Sequence, residues 1–302
     1  MYDILVVGGG VAGLTAALYA RRAGKTVLVV EKNAYGGQIT TSPKVENYPA
    51  FPSISGLELG DLFTAQAQNA GADLEFDEVI SIEKIEDGFV VNTLYGETHK
   101  AKALIFATGA KPRPLGVAGE EKYIGRGVSY CAVCDGEFHK GKDVAVVGGG
   151  NTALQEALYL SDICQTVTLI HRREEFRADD ILVKKLAERQ NIEVVTPAVV
   201  SELEGEEHLE GITLTYTDGR IAYLPVTGMF VAVGHLPENN LFFPWIDQAD
   251  GGYADAKEDC LTKTPGVFVA GDCRRKSVRQ LTTAAADGAV AALAACHYLD
   301  TL

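Results

Sequence analysis

The order of apolar and polar positions at the start of the chain predicts a β-α-β unit. Residues Asp3–Val7 form an apolar, β-branched run that ends in glycines, and a helical pattern carrying Leu14 and Leu18 follows. Thr26–Val30 is the next apolar run, and Glu31 closes it. Two strands joined through a helix pair in parallel, so the pattern predicts the parallel sheet of an α/β domain.

The same pattern returns in the middle of the chain. Val144–Val147 is an apolar run, a helical pattern with Leu154 and Leu158 follows, and Val167–Ile170 is the run after it. The glycine cluster of this second copy begins at Gly148, as that of the first copy begins at Gly8. A repeat at this distance is too long for a solenoid and predicts two related domains.

Further apolar or alternating runs predict the remaining strands and a long helix. The strands are expected at Val79–Ile85, Phe89–Leu94, Ala103–Ala107, Glu193–Val195, Gly211–Thr215, Gly228–Val233 and Gly266–Asp272, and the helix at Thr282–Leu299. Residues 33–56, rich in Gly, Pro, Ser and Thr, predict a long irregular connection, which in a compact domain is usually functional or disordered.

Two segments are candidates for chain crossings between the domains. Lys111–Gly119 is rich in Pro and Gly, and the return crossing is expected near His235–Pro244. The hypothesis is that residues 1–115 and 243–302 form one discontinuous domain and that residues 116–242 form a second domain inserted into it.

Composition narrows the class of partner. The 302 residues carry a net charge of −14, which argues against a nucleic acid or an anionic membrane as partner. Asp287 and His297 interrupt the most apolar late stretch, so a membrane span is not expected. We expect a cytoplasmic protein, since no secretory signal is visible and six cysteines do not make a disulfide scaffold in a chain this long.

The first glycine cluster, Gly8-Gly-Gly-Val-Ala-Gly13, follows a strand and opens a helix. In that context Gly8, Gly10 and Gly13 permit a tight turn, and the helix N-terminus faces a pyrophosphate with free N–H groups. Glu31, at the end of the next strand, is placed to accept hydrogen bonds from a ribose 2′-hydroxyl. The alternative is a plain glycine turn of an α/β protein.

The second cluster differs at two points. Ala153 replaces the third glycine after Gly148 and Gly150, and cations stand where the first copy has Glu31. These cations are His171, Arg172, Arg173 and Arg177. Arginines at this place favour a 2′-phosphate, so we expect a dinucleotide without 2′-phosphate in the first site and NADP in the second. The alternative is a solvated basic patch paired with Glu174 and Glu175.

Cys131 and Cys134 lie between the two copies and allow three interpretations. A zinc site needs about four ligands, and only His139 lies near in sequence. Two structural thiols are a second interpretation. A reversible disulfide is favoured, because the spacing allows ring closure and such thiols have lowered pKa values. Asp135 would then carry the proton of thiol exchange or, more simply, cap a turn. The other four cysteines, which are Cys164, Cys260, Cys273 and Cys296, are expected to be buried apolar residues.

Together these motifs resemble the low-molecular-weight, bacterial-type NADPH thioredoxin reductases over essentially the whole chain. Further matching motifs are Gly36-Gly37-Gln38, Glu46-Asn47-Tyr48-Pro49, Ala107-Thr108-Gly109, Gly234-His235 and Gly271-Asp272. The resemblance implies an α/β fold of two Rossmann-like, three-layer ββα domains, in which an NADPH domain is inserted into an FAD domain. It also implies a homodimer, no metal, and thioredoxin or a thioredoxin-like redoxin as partner.

The resemblance also implies the site residues. Those for FAD are Gly8, Gly10, Gly13, Glu31, Gly37, Gln38, Asn47, Thr108, Gly109, Gly271, Asp272, Arg279, Gln280 and Ala284. Those for NADPH are Gly148, Gly150, Asn151, Thr152, Ala153, His171, Arg172, Arg173, Arg177 and Gly234. Cys134 would face the flavin, Cys131 would attack the partner's disulfide, and Asp135 would be the acid–base residue.

Four positions depart from the family pattern without removing a reacting group: Ala50 and Ala286 replace common glycines, Glu238 a common asparagine, and Cys273 an aliphatic residue.

Other functions stay open. A ferredoxin-dependent flavin thioredoxin reductase would lack the second fingerprint and its arginines, whereas both are present. Three alternatives remain. The chain could reduce another redoxin, such as one of a peroxiredoxin system; it could be a small-molecule dithiol oxidase; or it could be a non-catalytic redox sensor.

The position of the dithiol in the chain implies a movement. Cys131 and Cys134 lie within the segment expected to bind NADP, whereas the flavin is expected on the other domain. Nicotinamide and disulfide must both reach one flavin, and the resemblance implies that the inserted domain achieves this by rotating about its two crossings.

Overall fold

The computed structural model describes residues 1–42 and 44–302, and its elements are numbered along the chain. The α-helices are α1 Val11–Arg22, α2 Gly56–Asn69, α3 Glu120–Tyr123, α4 Ala132–Asp135, α5 Asn151–Ser161, α6 Asp180–Ala187 and α7 Leu281–Asp300. The first strands are β1 Tyr2–Val7, β2 Val27–Glu31, β3 Asp73–Phe76, β4 Val79–Ile85, β5 Gly88–Thr93, β6 Thr98–Phe106, β7 Ala110–Pro112 and β8 Val128–Ser129. The later strands are β9 Asp143–Val147, β10 Thr166–Ile170, β11 Ile192–Val195, β12 Ala198–Glu204, β13 Gly211–Tyr216, β14 Ile221–Pro225, β15 Gly228–Val231, β16 His235–Pro237 and β17 Val267–Val269.

The chain folds into two compact units. The first unit contains Met1–Lys111 and Leu236–Leu302, and the second contains Pro112–His235. The sequence-based boundaries, at residues 115/116 and 242/243, lie a few residues later along the chain. Both divisions of the structure fall inside the segments from which we expected the chain to cross.

The first unit is built on one mixed sheet. Its strands run in the order β3-β2-β1-β6-β5-β4, and β17 also pairs with β6. The strands β3, β2, β1, β6 and β17 are parallel, while β5 and β4 add an antiparallel meander. Along β1 the side chains alternate between two cores: Ile4 packs with the helices α1 and α7, whereas Leu5 packs with Phe89 and Phe242 on the other face.

The second unit has three layers. A parallel sheet, in the order β11-β10-β9-β15-β8, lies at its centre. Val144 and Val146 of β9 pack against α5 and α6, whereas Ala145 and Val147 pack against the antiparallel sheet β12-β13-β14. This sheet–sheet–helix order, together with the parallel sheet of the first unit, confirms the predicted α/β fold class.

Small side chains bring α1 and α7 into close contact in the first unit. Ala16 and Ala20 of α1 are fully buried with Ala291 and Ala295 of α7. A Cβ atom on Gly288 would overlap the carbonyl oxygen of Ala12. The helices approach this closely because alanine and glycine present little side chain between the backbones.

The structure corrects one predicted strand and adds elements that the sequence pattern did not reveal. Gly266–Asp272 was expected to be a strand throughout, but β17 ends at Val269 and a 3₁₀ turn covers Gly271–Cys273. Gly271 has φ +80°, which cannot continue a strand. The longer added elements are α2, α6, β3, β12 and β14, whose apolar positions are few or partly exposed, and the short ones are α3, α4, β7, β8 and β16.

Ala50 is expected to cost the protein stability. Its φ of 83° lies in the left-handed region, which is unfavourable for a residue with a Cβ atom. Because the side chain is exposed, Ala50→Gly removes this strain without loss of packing and should raise the unfolding free energy by about 0.5–1 kcal/mol. Urea denaturation measures the change. Ala249→Gly is the matched control: at φ −95° the same substitution should lower stability, and a gain at both positions would contradict the interpretation.

Candidate cofactor-binding and dithiol site

A cavity of about 400 Å³ opens at the carboxyl ends of β1, β2 and β6 in the first unit. This is the edge at which α/β sheets bind nucleotides, and the volume suits a ligand of cofactor size. Residues expected at the first dinucleotide site form much of its lining: Gly8, Gly10, Glu31, Gly37, Gln38, Thr108, Gly109, Gly271, Asp272 and Ala284.

The glycine turn at the start of α1 has no room for side chains. Gly8 has φ +104°, and a Cβ atom there would overlap the carbonyl of Ala107. A Cβ atom on Gly13 would overlap the carbonyl oxygen of Gly8. These two glycines therefore let α1 begin directly beside the neighbouring strands, so that its N-terminus faces the cavity.

Glu31 holds this turn in place. Its carboxylate accepts hydrogen bonds from the backbone N–H groups of Gly9 and Asn33, each at 2.7 Å. The side chain is buried, and each oxygen keeps a further lone pair. Glu31 thus shapes the glycine turn as well as lining the cavity, a contact that the sequence pattern did not reveal.

Further hydrogen bonds made by the residues expected for FAD lie around the start of α7 and the Gly37 turn. Gln38 donates from Nε2 to the carbonyl oxygen of Ala110 at 2.8 Å. Asn47 donates from Nδ2 to Oε1 of Gln280 at 3.4 Å, and Gln280 caps α7 in a capping box with Thr283. Gly13, Asn47, Arg279 and Gln280 are not among the residues that line the cavity in the described part of the chain.

Two buried polar atoms in this region lack hydrogen-bond partners among the described residues: Oδ1 of Asp272 and Nε of Arg279. Burial raises the pKa of Asp272, although Lys276 lies 3.8 Å away. The Arg279 guanidinium lies 4.3 Å from the Tyr253 ring centroid. Buried polar groups are normally paired, so the unsatisfied Oδ1 of Asp272, which lines the cavity, fits a polar ligand such as a flavin dinucleotide.

Asp287 is a site-forming residue that the motif comparison did not assign. It accepts hydrogen bonds from the Gly271 N–H at 3.0 Å, from Nε and Nη2 of Arg274 at 2.8 Å, and from Lys276 Nζ at 2.9 Å. Burial alone would raise its pKa, but the hydrogen bonds from the two cations lower it. The network fixes the Gly271–Asp272 turn. The signal in the sequence was an acid in the middle of an alanine-rich helix.

The glycine turn of the second unit is packed in a similar way. A Cβ atom on Gly148 would overlap the Ala232 carbonyl region, and one on Gly149 would overlap the His171 ring. Gly150 faces open space, and α5 begins at the next residue. Asn151 and Asp179 exchange hydrogen bonds of 2.9 and 2.8 Å, which dock the loop after β10 onto this helix start. The open side at Gly150 leaves room for a pyrophosphate.

The cations expected to bind a 2′-phosphate divide into two groups. His171 is buried and stacks on Phe176, and its pKa is lowered by burial first and also by the nearby guanidinium groups. Arg172, Arg173 and Arg177 are exposed, and in the described part of the chain none of them forms an ion pair with Glu174 or Glu175. The three guanidinium groups are therefore accessible to an anionic ligand, while His171 packs against the glycine turn at Gly149.

The other residues expected at this site lie around the same turn. Thr152 is exposed on α5, and Ala153 is buried against Gly148. Gly234, at φ +110°, accepts a hydrogen bond from the Arg113 N–H at 2.9 Å, close to the crossings.

Cys131 and Cys134 form a disulfide at the start of α4, with their Cα atoms 5.3 Å apart. Cys134 is exposed and Cys131 is half-buried. The N–H of Cys134 points at Sγ of Cys131 at 3.2 Å. A donor in this position stabilises a thiolate on Cys131 after reduction.

Asp135 closes the same short helix. Ser129 donates a hydrogen bond from Oγ to its carboxylate at 2.6 Å and accepts one from the Cys131 N–H at 3.1 Å. Burial raises the pKa of Asp135, and the Ser129 hydrogen bond opposes this effect. A buried carboxyl that keeps its proton to higher pH is suited to proton transfer.

Glu120 connects the dithiol segment to the crossing that leads into the unit. Its carboxylate is buried and accepts hydrogen bonds from the N–H groups of Leu115 and Gly116 at 2.9 and 2.7 Å. It also accepts one from the Tyr130 hydroxyl at 2.7 Å, directly before Cys131. The loop before α3 and the dithiol are thus held by one side chain.

The remaining cysteines are buried, as predicted. Burial raises the pKa of Cys164 to about 11 and that of Cys260 to about 12, so these thiols are unreactive near neutral pH.

Among the described residues, the helices are too short or too polar to cross a membrane.

Comparison with known proteins gives the family. Residues 2–288 match the pyridine nucleotide-disulphide oxidoreductase family. The thioredoxin reductase of Listeria monocytogenes is 41% identical over 306 residues, covering 100% of this chain and 95% of the relative. A bifunctional thioredoxin reductase/thioredoxin of Mycobacterium leprae is 41% identical over 99% of this chain and 66% of its own length. The crystal structure of a Streptococcus pyogenes thioredoxin reductase, 38% identical, has a TM-score of 0.94 and matches over 100% of this chain and 99% of its own.

The chain therefore belongs to the pyridine nucleotide-disulphide oxidoreductase family. Within that family the proteins described above carry the name thioredoxin reductase, and the resemblance inferred from the sequence motifs is confirmed.

Ser129→Ala is expected to raise the pKa of Asp135 further, because the carboxylate loses a donated hydrogen bond while its burial is unchanged. Because the pKa of Asp135 in the folded protein is above its ordinary value, the protein loses folding stability as the pH rises from the ordinary pKa through the folded-state pKa. The variant, with a still higher pKa, should lose more stability over this pH range. An infrared or ¹³C NMR titration of the carboxyl measures the shift. An unchanged or lowered pKa would contradict the role of Ser129, and Ser201→Ala, on a distant exposed hydroxyl, serves as control.

Proposed function

We propose that this protein is an NADPH-dependent thioredoxin reductase, which passes electrons through FAD to the Cys131–Cys134 pair and on to a redoxin disulfide. The observation that carries the proposal is the disulfide in the same unit as the second glycine turn, where Arg172 and Arg173 follow strand β10 and, among the described residues, form no ion pair with Glu174 or Glu175. Names of relatives support the acceptor, since one of them joins a thioredoxin reductase and a thioredoxin in one bifunctional protein.

The first unit fits FAD and the second fits NADPH. FAD, when bound, supplies the two-electron relay between nicotinamide and sulfur. The cavity residues Gly8, Glu31 and Asp272 would hold its ribose and phosphate groups, and the start of α7 would stabilise negative charge at the ring. Arg172 and Arg173 would bind the 2′-phosphate of NADPH, and the open backbone at Gly150 its pyrophosphate.

The dithiol does the sulfur chemistry. Two electrons and one proton break the Cys131–Cys134 bond and leave a thiol on Cys134 and a thiolate on Cys131. The Cys131 thiolate attacks one sulfur of the partner's disulfide, forming a mixed disulfide and releasing the partner's other sulfur as a thiolate, which takes a proton held by Asp135. The Cys134 sulfur then attacks Cys131 and its proton passes to the partner's departing sulfur, which restores the intramolecular disulfide and releases the partner as a dithiol.

The assignment of Cys131 as the attacking thiol rests on its local donor. Exposure alone would favour the opposite order, since Cys134 is the more exposed residue. The Cys134 N–H, however, is directed at Cys131 Sγ and favours the thiolate there. A cytoplasmic homodimer, in which the inserted unit rotates to bring either the nicotinamide or the disulfide to the flavin, completes the proposal.

The nucleotide assignment predicts a loss of preference on removal of the arginines. NADPH added without oxygen should bleach the flavin absorbance rapidly, whereas NADH and reduced ferredoxin should not. Arg172→Ala with Arg173→Ala should raise the KM for NADPH at least about tenfold and leave that for NADH nearly unchanged, because each charged hydrogen bond contributes about 1.5–3 kcal/mol. Stopped-flow absorbance gives both values.

Glu174→Gln with Glu175→Gln is the matched control, because these neighbours are exposed and carry the opposite charge. It should not weaken NADPH binding. Bleaching by reduced ferredoxin alone would replace NADPH as donor, and no bleaching by any donor would overturn the proposal.

The division of roles between the two cysteines predicts which variant traps the partner. Cys134→Ser leaves Cys131 able to attack but removes the thiol that resolves the mixed disulfide, so a covalent complex with thioredoxin should accumulate. Cys131→Ser should give at most a few per cent of that complex. Non-reducing electrophoresis and mass spectrometry of the adduct measure the yield, and the reverse pattern would exchange the two roles.

A further inference from the structure

Glu156 lies behind the dithiol and has no place in the sulfur chemistry described above. It is on α5, which packs against α4, and its Oε1 accepts a hydrogen bond from the Ala132 N–H at 3.3 Å. Ala132 follows Cys131 directly and is fully buried. Oε2 of Glu156 is buried and has no hydrogen-bond partner among the described residues. Buried polar atoms are normally hydrogen-bonded, so a carboxyl with one long hydrogen bond and one unsatisfied oxygen suggests a functional role.

The elements that pack against α5, apart from the dithiol helix α4, contribute mainly apolar side chains to the core beside it. The strands under α5 present side chains such as Val144, Val146 and Leu169, and α6 presents Leu182 and Leu186. The charged residues of these elements are exposed: Asp143 on β9, Lys184 and Lys185 on α6, and Glu193 on β11. On α5 itself Tyr159 is exposed. The titratable groups on the side of α4 are the cysteine pair and Asp135, followed by Glu137 and His139 in the next turn.

We propose that Glu156 is a positioning residue of the dithiol, which holds the first residue of α4 and takes up a proton when Cys131 becomes a thiolate. The proposal deepens the function given above and rests on it for its catalytic meaning. Asp135, on α4 itself and bonded to Ser129, would serve the partner's sulfur, whereas Glu156 would serve the charge on Cys131.

The charge balance of reduction gives the physical reason. Two electrons break the sulfur–sulfur bond, one proton goes to the Cys134 sulfur, and the Cys131 sulfur keeps a negative charge. A carboxylate bonded to the adjacent N–H would repel that charge in a poorly solvated place, so the second proton binds the carboxyl instead. Burial already raises the pKa of Glu156 to about 7, against the opposing effect of the Ala132 N–H, so the proton is available near neutral pH.

The conservative variant separates positioning from proton uptake. Glu156→Gln keeps an oxygen for the Ala132 N–H but does not ionise, whereas Glu156→Ala removes both functions. Glu137→Gln is the matched control: it removes an acid close to the dithiol in sequence whose side chain is 55% exposed and is paired with Lys140. The glutamine variant has the shape of the native residue, so it tests the proposal even where the alanine variant does not fold.

The measurement is the rate of iodoacetamide alkylation of Cys131 against pH, in full-length protein with Cys134→Ser. The other four cysteines are buried, so Cys131 is the thiol that reacts. With Glu156 present, half-maximal reactivity should come at a higher pH than in Glu156→Gln, because the ionised carboxyl opposes the thiolate. At pH 7.5 the glutamine variant should therefore react about 3- to 10-fold faster. In Glu156→Ala, thioredoxin turnover should fall, and Glu156→Gln should restore most of it.

Two results would overturn the proposal: the same pH profile with glutamate and glutamine at position 156, or a shift of equal size in Glu137→Gln. Alkylation needs neither nicotinamide, flavin reduction nor a redoxin. The Glu156→Gln variant could shift the pH profile of Cys131 alkylation in a protein that does not reduce thioredoxin. That result would reject the proposed function and leave the link between Glu156 and Cys131 intact.

Discussion

Both candidate nucleotide sites depend on backbone N–H groups and carbonyls that approach one another closely at the ends of parallel strands. Such turns have no side chains of their own to hold them, so buried carboxylates do it from elsewhere in the chain. Glu31 holds Gly9, and Asp287 holds Gly271. Glu120 does the same for the loop at residues 115–116 in the second unit. In the second unit the glycine turn itself packs at Gly149 against the His171 ring, so contacts within the protein help to set the shape of the glycine turn in each unit.

The parts of the fold that the sequence predicts well are those in which local pattern and tertiary role agree. The uninterrupted apolar run at Val144–Val147 predicts a buried strand, and this strand is buried on both faces. The glycine at position 8 predicts a tight turn, and its positive φ is a conformation that residues with a Cβ atom rarely adopt. The two β-α-β units, the paired cysteines and the acid-versus-arginine contrast all rest on short-range signals of this kind. They carry most of the interpretation of the chain.

The contacts that escaped prediction are long-range or involve weak patterns. Strand β3 has only partly buried side chains and takes its place from pairing with β2, so its own sequence gives little signal. Asp287 and Gly271 are neighbours only because α7 returns beside the last strand. The sequence shows Glu156 only as one acid in a helix, and its hydrogen bond with Ala132 depends on the packing of α4 against α5. No local pattern encodes these meetings, since each needs two distant segments to be positioned first.

The network around Asp287 has a consequence for how this family changes over evolutionary time. Arg274 and Lys276 are both nearly excluded from solvent, with side chains 3% and 6% exposed, and one carboxylate neutralises part of their charge. Replacing Asp287 alone would leave two buried cations whose other carboxylate partners, Glu258 and Asp272, lie 3.5 and 3.8 Å away, whereas replacing either cation leaves one cation beside Asp287. An acid at position 287 should consequently be retained wherever positions 274 and 276 both carry cations, and lineages that have lost it will have found another way to hold the glycine turn at position 271.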